Sequence, residues 1–103
     1  NHGEAVILGI KSAINFSIIN KILSVKDYNL IKNHLVYLNL PNKISKYLSK
    51  KNVNKILSFM NKDKKNKNKK INLVIINKIG KVSYNLYFEN KVIKKFLNLE
   101  LSN

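Results

Sequence analysis

Residues 2–23 read HGEAVILGIKSAINFSIINKIL, and everything after them has to be fitted to this run. Ala5, Val6, Ile7, Leu8, Ile10, Ala13, Ile14, Phe16, Ile18 and Ile19 cover most of a helical circumference, while Glu4, Lys11 and Asn15 share one narrow stripe. The pattern predicts a helix from about Gly3 to Leu23 that is buried on most sides. A helix of about 30 Å needs more packing partners than the rest of so short a chain supplies, so further protein is expected to cover it.

At 103 residues the chain is at most one small domain. A domain of this size buries roughly 60–70% of the surface exposed by its unfolded chain, enough for a core with little margin. It has no cysteine, which excludes disulfides and thiolate metal sites. His2, His34 and five carboxylates (Glu4, Asp27, Asp63, Glu89 and Glu100) are the remaining side chains suited to a divalent metal.

The formal charge is +15, and all twenty basic residues are lysine. Arginine, whose planar fork grips guanine and phosphate in two places, is absent. The chain also carries 18 asparagines and 14 isoleucines, and Lys, Asn and Ile are what AT-rich codons encode. The charge is therefore read as compositional, and no specific nucleic-acid partner is expected. Glu4 and Lys11 interrupt what would be the apolar part of a signal peptide, and no apolar run is long enough to span a bilayer. The expectation is a soluble, cytoplasmic protein without a membrane partner.

Ser24 and Asp27 form a capping-box pattern for a second helix, about Val25 to Leu38, with Ile31, Leu35 and Leu38 on its apolar face and Leu30 and Tyr37 beside it. Pro41 follows its end, and a short helical piece carries Ile44, Tyr47 and Leu48. A third helix is predicted over about Asn52 to Asp63, with Val53, Ile56, Leu57 and Met60 at helical spacing. The segment KDKKNKNKK, residues 62–70, is too charged to pack and reads as a helix end followed by a mobile loop. INLVIIN (71–77) and KVSYNLYF (81–88) read as strands, the second placing Val82, Tyr84, Leu86 and Phe88 on one face. Gly80 gives the hairpin between them its permissive backbone. A last helix, about Asn90 to Leu97, carries Val92, Ile93, Phe96 and Leu97. The fold class is mainly α with a small β-hairpin near the C-terminus.

Few residues carry chemistry. His2 stands at the mouth of the first helix, where an imidazole can bind a divalent metal or simply be solvated. Glu4 does not complete a pair with it, because residues two apart on a helix point away from each other. His34 falls between Leu30 and Tyr37 and reads as a satisfied core histidine. Lys64 and Lys65 follow a helix C-terminus, where the helix dipole favours a cation; either can also hold an anionic substrate as a compact point charge. Gly3 and Gly9 read as close-packing points.

Four of these stretches, in order and in register, resemble segments of the 3-dehydroquinate synthase family. HGEAVILGI (2–10) resembles the family's HGEAVAIGM, LNLP (38–41) its LGLP, and MNKDKK (60–65) its MxxDKK. INLVIINKIGKV (71–82) resembles the hydrophobic strand and IG near the family's C-terminus. The resemblance covers essentially the whole chain. It implies the helical C-terminal domain of an enzyme that binds NAD in an N-terminal α/β domain and a divalent metal, zinc or cobalt, in the helical one. The implied reaction converts DAHP, a seven-carbon sugar acid phosphate, to 3-dehydroquinate and phosphate in the shikimate pathway: a transient ketone acidifies the neighbouring C–H, phosphate leaves, the ketone is reduced back, and an aldol step closes the ring.

By position, His2 matches a family metal ligand, and Lys64 and Lys65 match lysines of which at least one contacts the substrate. The other two implied ligands, a glutamate and the histidine of GHTxGHAIE, do not occur in these residues, nor does a glycine-rich nucleotide-binding segment. The chain is thus expected to be a partial C-terminal domain, 1–103, inactive alone, whose N-terminal portion lies outside it and whose full-length form is a homodimer. Another sugar phosphate cyclase, or a small basic binding module without catalysis, is the alternative. Two departures stand out: NKNKK follows DKK where the family has a glycine or two, and Lys11 holds a position usually apolar.

Overall fold

The computed structural model describes residues 2–40 and 43–102. It has four α-helices, α1 (His2–Ile19), α2 (Val25–Tyr37), α3 (Val53–Asn61) and α4 (Asn90–Glu100), and two strands, β1 (Ile71–Lys78) and β2 (Lys81–Phe88). Short 3-10 turns, Ile44–Lys46 and Lys50–Asn52, precede α3. The mainly helical class with one small hairpin is as expected. The chain divides into two compact units, Asn1–Ile44 with Ile75–Ser83, and Ser45–Val74 with Tyr84–Asn103. No helix among the described residues is long and apolar enough to cross a membrane.

In the first unit, α1 stops four residues earlier than its apolar pattern, because the backbone turns left-handed at Lys21 (φ 59°). The Ile22 N–H donates to Ser17 O (2.8 Å) and the Lys21 N–H to Ile18 O (3.1 Å), the paired bonds of a Schellman cap. α2 ends the same way: Asn39 has φ 55°, Leu40 N–H donates to Leu35 O and Asn39 N–H to Val36 O. Pro41, expected just past this end, lies outside the described residues. The start of α2 is where Ser24 predicts it, with Ser24 Oγ accepting from Asp27 N–H at 3.1 Å. The box is only half made, since Asp27 Oδ2 instead accepts from Ile79 N–H in the hairpin turn (3.2 Å).

Among the described residues Leu8, Ile14, Phe16, Leu23 and Ile75 are the buried apolar side chains of this unit, with Ser17 fully enclosed and donating to Ala13 O (2.8 Å). α1 is not covered all round, however: Ile10 and Ile19 are about half exposed. Among the described residues a Cβ built at Gly9 meets nothing within 4 Å, so none of them packs closely there. α2 buries no residue completely, and of its expected apolar face Ile31 and Leu35 are half-buried while Leu38 is exposed.

The second unit has a core of its own. α3 lies against α4, and Val53, Leu57, Ile71, Ile93, Phe96 and Leu101 are buried. Fully burying a side chain of this kind stabilises by roughly 1.5–3 kcal/mol. β1 and β2 form a two-stranded sheet joined through Ile79 and Gly80, with Gly80 at φ 81° as its turn requires. Val82 is exposed whereas Leu86, Tyr87 and Phe88 are all half-buried, so the clean alternation expected for β2 fails. Asn85 takes a left-handed φ of 56° inside the strand, which breaks the pleat before Leu86, and the Tyr84 side chain lies outside the described residues.

Candidate functional site

The charged run 62–70 is organised, not featureless. α3 ends at Asn61, and Asp63 then builds a turn with its own side chain: Asp63 Oδ1 accepts from Lys65 N–H (2.9 Å) and Asp63 O from Asn66 N–H (3.2 Å). Asparagine and aspartate favour such turns because their short side chains reach the backbone two residues on. Lys64 and Lys65 occupy the two central positions, exposed, and neither has an ion-pair partner among the described residues. A second tight turn follows, in which Lys70 N–H donates to Lys67 O (2.8 Å) and Asn68 and Lys69 both take positive φ (53° and 60°). Two left-handed central residues define a type I′ turn, whose usual occupants are Asn and Gly. The geometry without the family's glycines is thus carried by Asn68 and Lys69.

Side-chain amides surround these turns. Asn66 Nδ2 donates to Met60 O and Asn66 Oδ1 accepts from Asn72 N–H, both at 2.8 Å. Asn90 Nδ2 donates to Lys69 O (3.2 Å), and Asn90 Oδ1 accepts from Asn61 Nδ2 (2.6 Å). None of these asparagines was singled out by sequence reading. The available signal was an amide residue one position after DKK and another at the first residue of the last helix, where such side chains commonly close backbone turns.

His2 is the first residue of α1 and belongs to the first unit, while Lys64 and Lys65 belong to the second. The side chains of His2 and Glu4 lie outside the described residues. His34 does not sit in a core: it is exposed, as are Leu30 and Tyr37 beside it, because α2 presents that side to solvent. Among the described residues no three His, Asp or Glu side chains gather as metal ligands. The second unit also has a groove of about 470 Å³ lined by Lys50, Lys91, Lys94 and Lys95, which includes neither Lys64 nor Lys65.

This arrangement, two exposed cations on a short hydrogen-bonded turn, has the charge and access to bind an anion. The comparisons with known proteins give it a context. The family model described as 3-dehydroquinate synthase C-terminal matches residues 1–66. A 3-dehydroquinate synthase of Pelagibacter ubique (strain HTCC1062) is 56% identical over 102 residues, which is 99% of this chain and 28% of that protein. The chain thus spans little more than a quarter of the length of the curated relative it matches. No solved structure matches. With the matched region taking in both the HGEAV and the DKK segments, the chain belongs to the 3-dehydroquinate synthase family, within its C-terminal domain.

Proposed function

We propose that this chain is the C-terminal portion of a 3-dehydroquinate synthase, a carbon–oxygen lyase that converts DAHP to 3-dehydroquinate and phosphate. The observation that carries the reading is the 56% identity to a protein of that name over 99% of the chain. Lys64 and Lys65 bind the anionic substrate: an ammonium on a flexible stem is a compact positive charge suited to phosphate or carboxylate oxygens. The Asp63 turn sets where those stems begin. His2 supplies one imidazole to a divalent metal in the full-length enzyme. The described residues do not make a ligand set on their own, so the remaining ligands would come from outside them. When bound, NAD supplies the reversible oxidation that acidifies the substrate C–H. Its site is assigned to the portion outside these residues, which contain no glycine-rich phosphate-binding segment.

The test is phosphate release from DAHP by the full-length protein and by the 103-residue chain, with NAD and zinc supplied. The full-length protein is expected to turn over and the chain to release none. In the full-length protein, replacing Lys64 and Lys65 together by alanine is expected to raise KM for DAHP by about tenfold or more. Turnover by the isolated chain, or a normal KM in the doubly substituted protein, would overturn the respective part of the reading.

A further inference from the structure

Residues 62–70 carry six lysines and no apolar side chain, so repulsion among them favours an open, unfixed loop. Side chains hold it closed, and among them half-buried Asn66 bonds on both sides of the DKK turn. Asn66 Nδ2 donates to Met60 O in the last turn of α3, and Asn66 Oδ1 accepts from Asn72 N–H near the start of β1. The Asn66 backbone N–H meanwhile closes on Asp63 O. One residue thereby ties helix, turn and strand together across the segment that presents Lys64 and Lys65. An amide suits the pair of bonds, since its NH2 donates to one carbonyl while its oxygen accepts from an N–H on the other side.

We infer that Asn66 is a positioning residue for substrate binding: its amide fixes the backbone of the Asp63–Asn66 turn and so the points from which the Lys64 and Lys65 stems leave. The inference rests on the assignment of those lysines to the substrate proposed above. A lysine stem is flexible, so the fold controls its ammonium chiefly through its starting point. Releasing that point spreads the cation over a larger volume and lowers its effective concentration at the bound anion.

The experiment measures KM and kcat for DAHP in the full-length synthase carrying Asn66→Ala, Asn66→Ser, Lys64→Ala with Lys65→Ala, and all three alanine changes together. Asn20→Ala serves as a control, because Asn20 Nδ2 makes a comparable bond to Phe16 O at the end of α1. Asn66→Ala is expected to raise KM about five- to tenfold with kcat within about twofold, and to change KM less than about twofold once both lysines are gone. Asn66→Ser, which keeps one hydroxyl, is expected to fall between, and decides the matter if the alanine variant does not fold. Asn20→Ala should leave KM unchanged. An unchanged KM in the Asn66 variants, beside a raised KM in the lysine variant, sinks this inference and leaves the lysine assignment standing. An equal rise with and without the lysines also sinks it, by making Asn66 merely structural. A normal KM in the lysine variant instead removes the assignment on which the inference rests.

Discussion

Lys21, Asn39, Asn68, Lys69 and Asn85 hold the positive φ angles that glycine usually takes, in a chain with three glycines. Two of them close helices in Schellman caps, two form the type I′ turn after DKK, and one breaks the pleat of β2. A left-handed backbone costs an ordinary L-residue roughly 1–2 kcal/mol, and asparagine least among the non-glycines. The two lysines are therefore the strained members of the set. Lys69→Gly would turn Asn68–Lys69 into the favoured Asn–Gly pair. Glycine's extra freedom in the unfolded chain takes back about 0.5–1 kcal/mol, so a net gain of about 0.5–1 kcal/mol is expected. Asn39→Gly is expected to shift stability by less than about 0.5 kcal/mol. Urea unfolding midpoints at constant slope check both, and a Lys69→Gly midpoint no higher than that of Asn39→Gly would remove strain from the account. These positions were illegible in the sequence for the same reason: Asn and Lys are its commonest polar residues, so little marked the five among the described residues that turn left-handed. Two likenesses to glycine-bearing segments touch them, LNLP at Asn39 and NKNKK at Asn68 and Lys69.

The elements themselves were largely legible, because periodicity and caps are local. β2 matches its predicted residues, β1 and α2 differ from theirs by one at an end, and α4 runs three residues longer than its apolar pattern. What was lost is what depends on distant residues. Ser24 and Asp27 read as a reciprocal box, yet only the serine half caps α2; the carboxylate is drawn to Ile79 N–H, fifty-two residues on. That bond joins a helix start to a hairpin turn and gives Asp27 two roles, favouring the N-terminal end of the α2 dipole and holding the Ile79 amide. Asp27→Ala should remove both and cost about 1 kcal/mol, while Asp27→Asn keeps an acceptor and should cost about half as much. Amide hydrogen exchange separates the roles. The Ile79 amide is expected to lose protection in Asp27→Ala and keep most of it in Asp27→Asn. Equal loss in both variants would mean that the charge, not the acceptor, holds the turn. The candidate site was legible to the same limited depth: the DKK lysines and His2 are readable by residue type and resemblance, but the amides that fasten the lysine turn act through bonds to Met60, Asn72 and Lys69, which periodicity does not reveal.

At the scale of the molecule the dominant fact is a charge of +15 carried on lysine alone. Exposed lysines occur in both compact units, from Lys21, Lys26 and Lys32 in the first to Lys91, Lys94 and Lys95 in the second. Such a surface must attract any polyanion at low salt, so DNA binding by itself does not distinguish a family enzyme from a basic binding module. The salt and sequence dependence does. A lysine ammonium neutralises phosphates without the two-point geometry that reads a base edge, so affinity should follow counterion release and ignore sequence. For two to four phosphates neutralised, the affinity of the 103-residue chain for a short duplex should fall roughly 10- to 100-fold between 50 and 200 mM salt. Two duplexes of unrelated sequence should bind within about twofold of each other throughout, as expected of contacts that position without specifying. Fluorescence anisotropy over that range checks both statements together. Tight binding that survives 200 mM salt, or separates the two duplexes tenfold, would make the lysines a recognition surface and reopen the binding-module reading. The expected outcome leaves them as the general charge of the chain, and the proposal for Lys64 and Lys65 then rests on their place in the DKK segment that the family model covers.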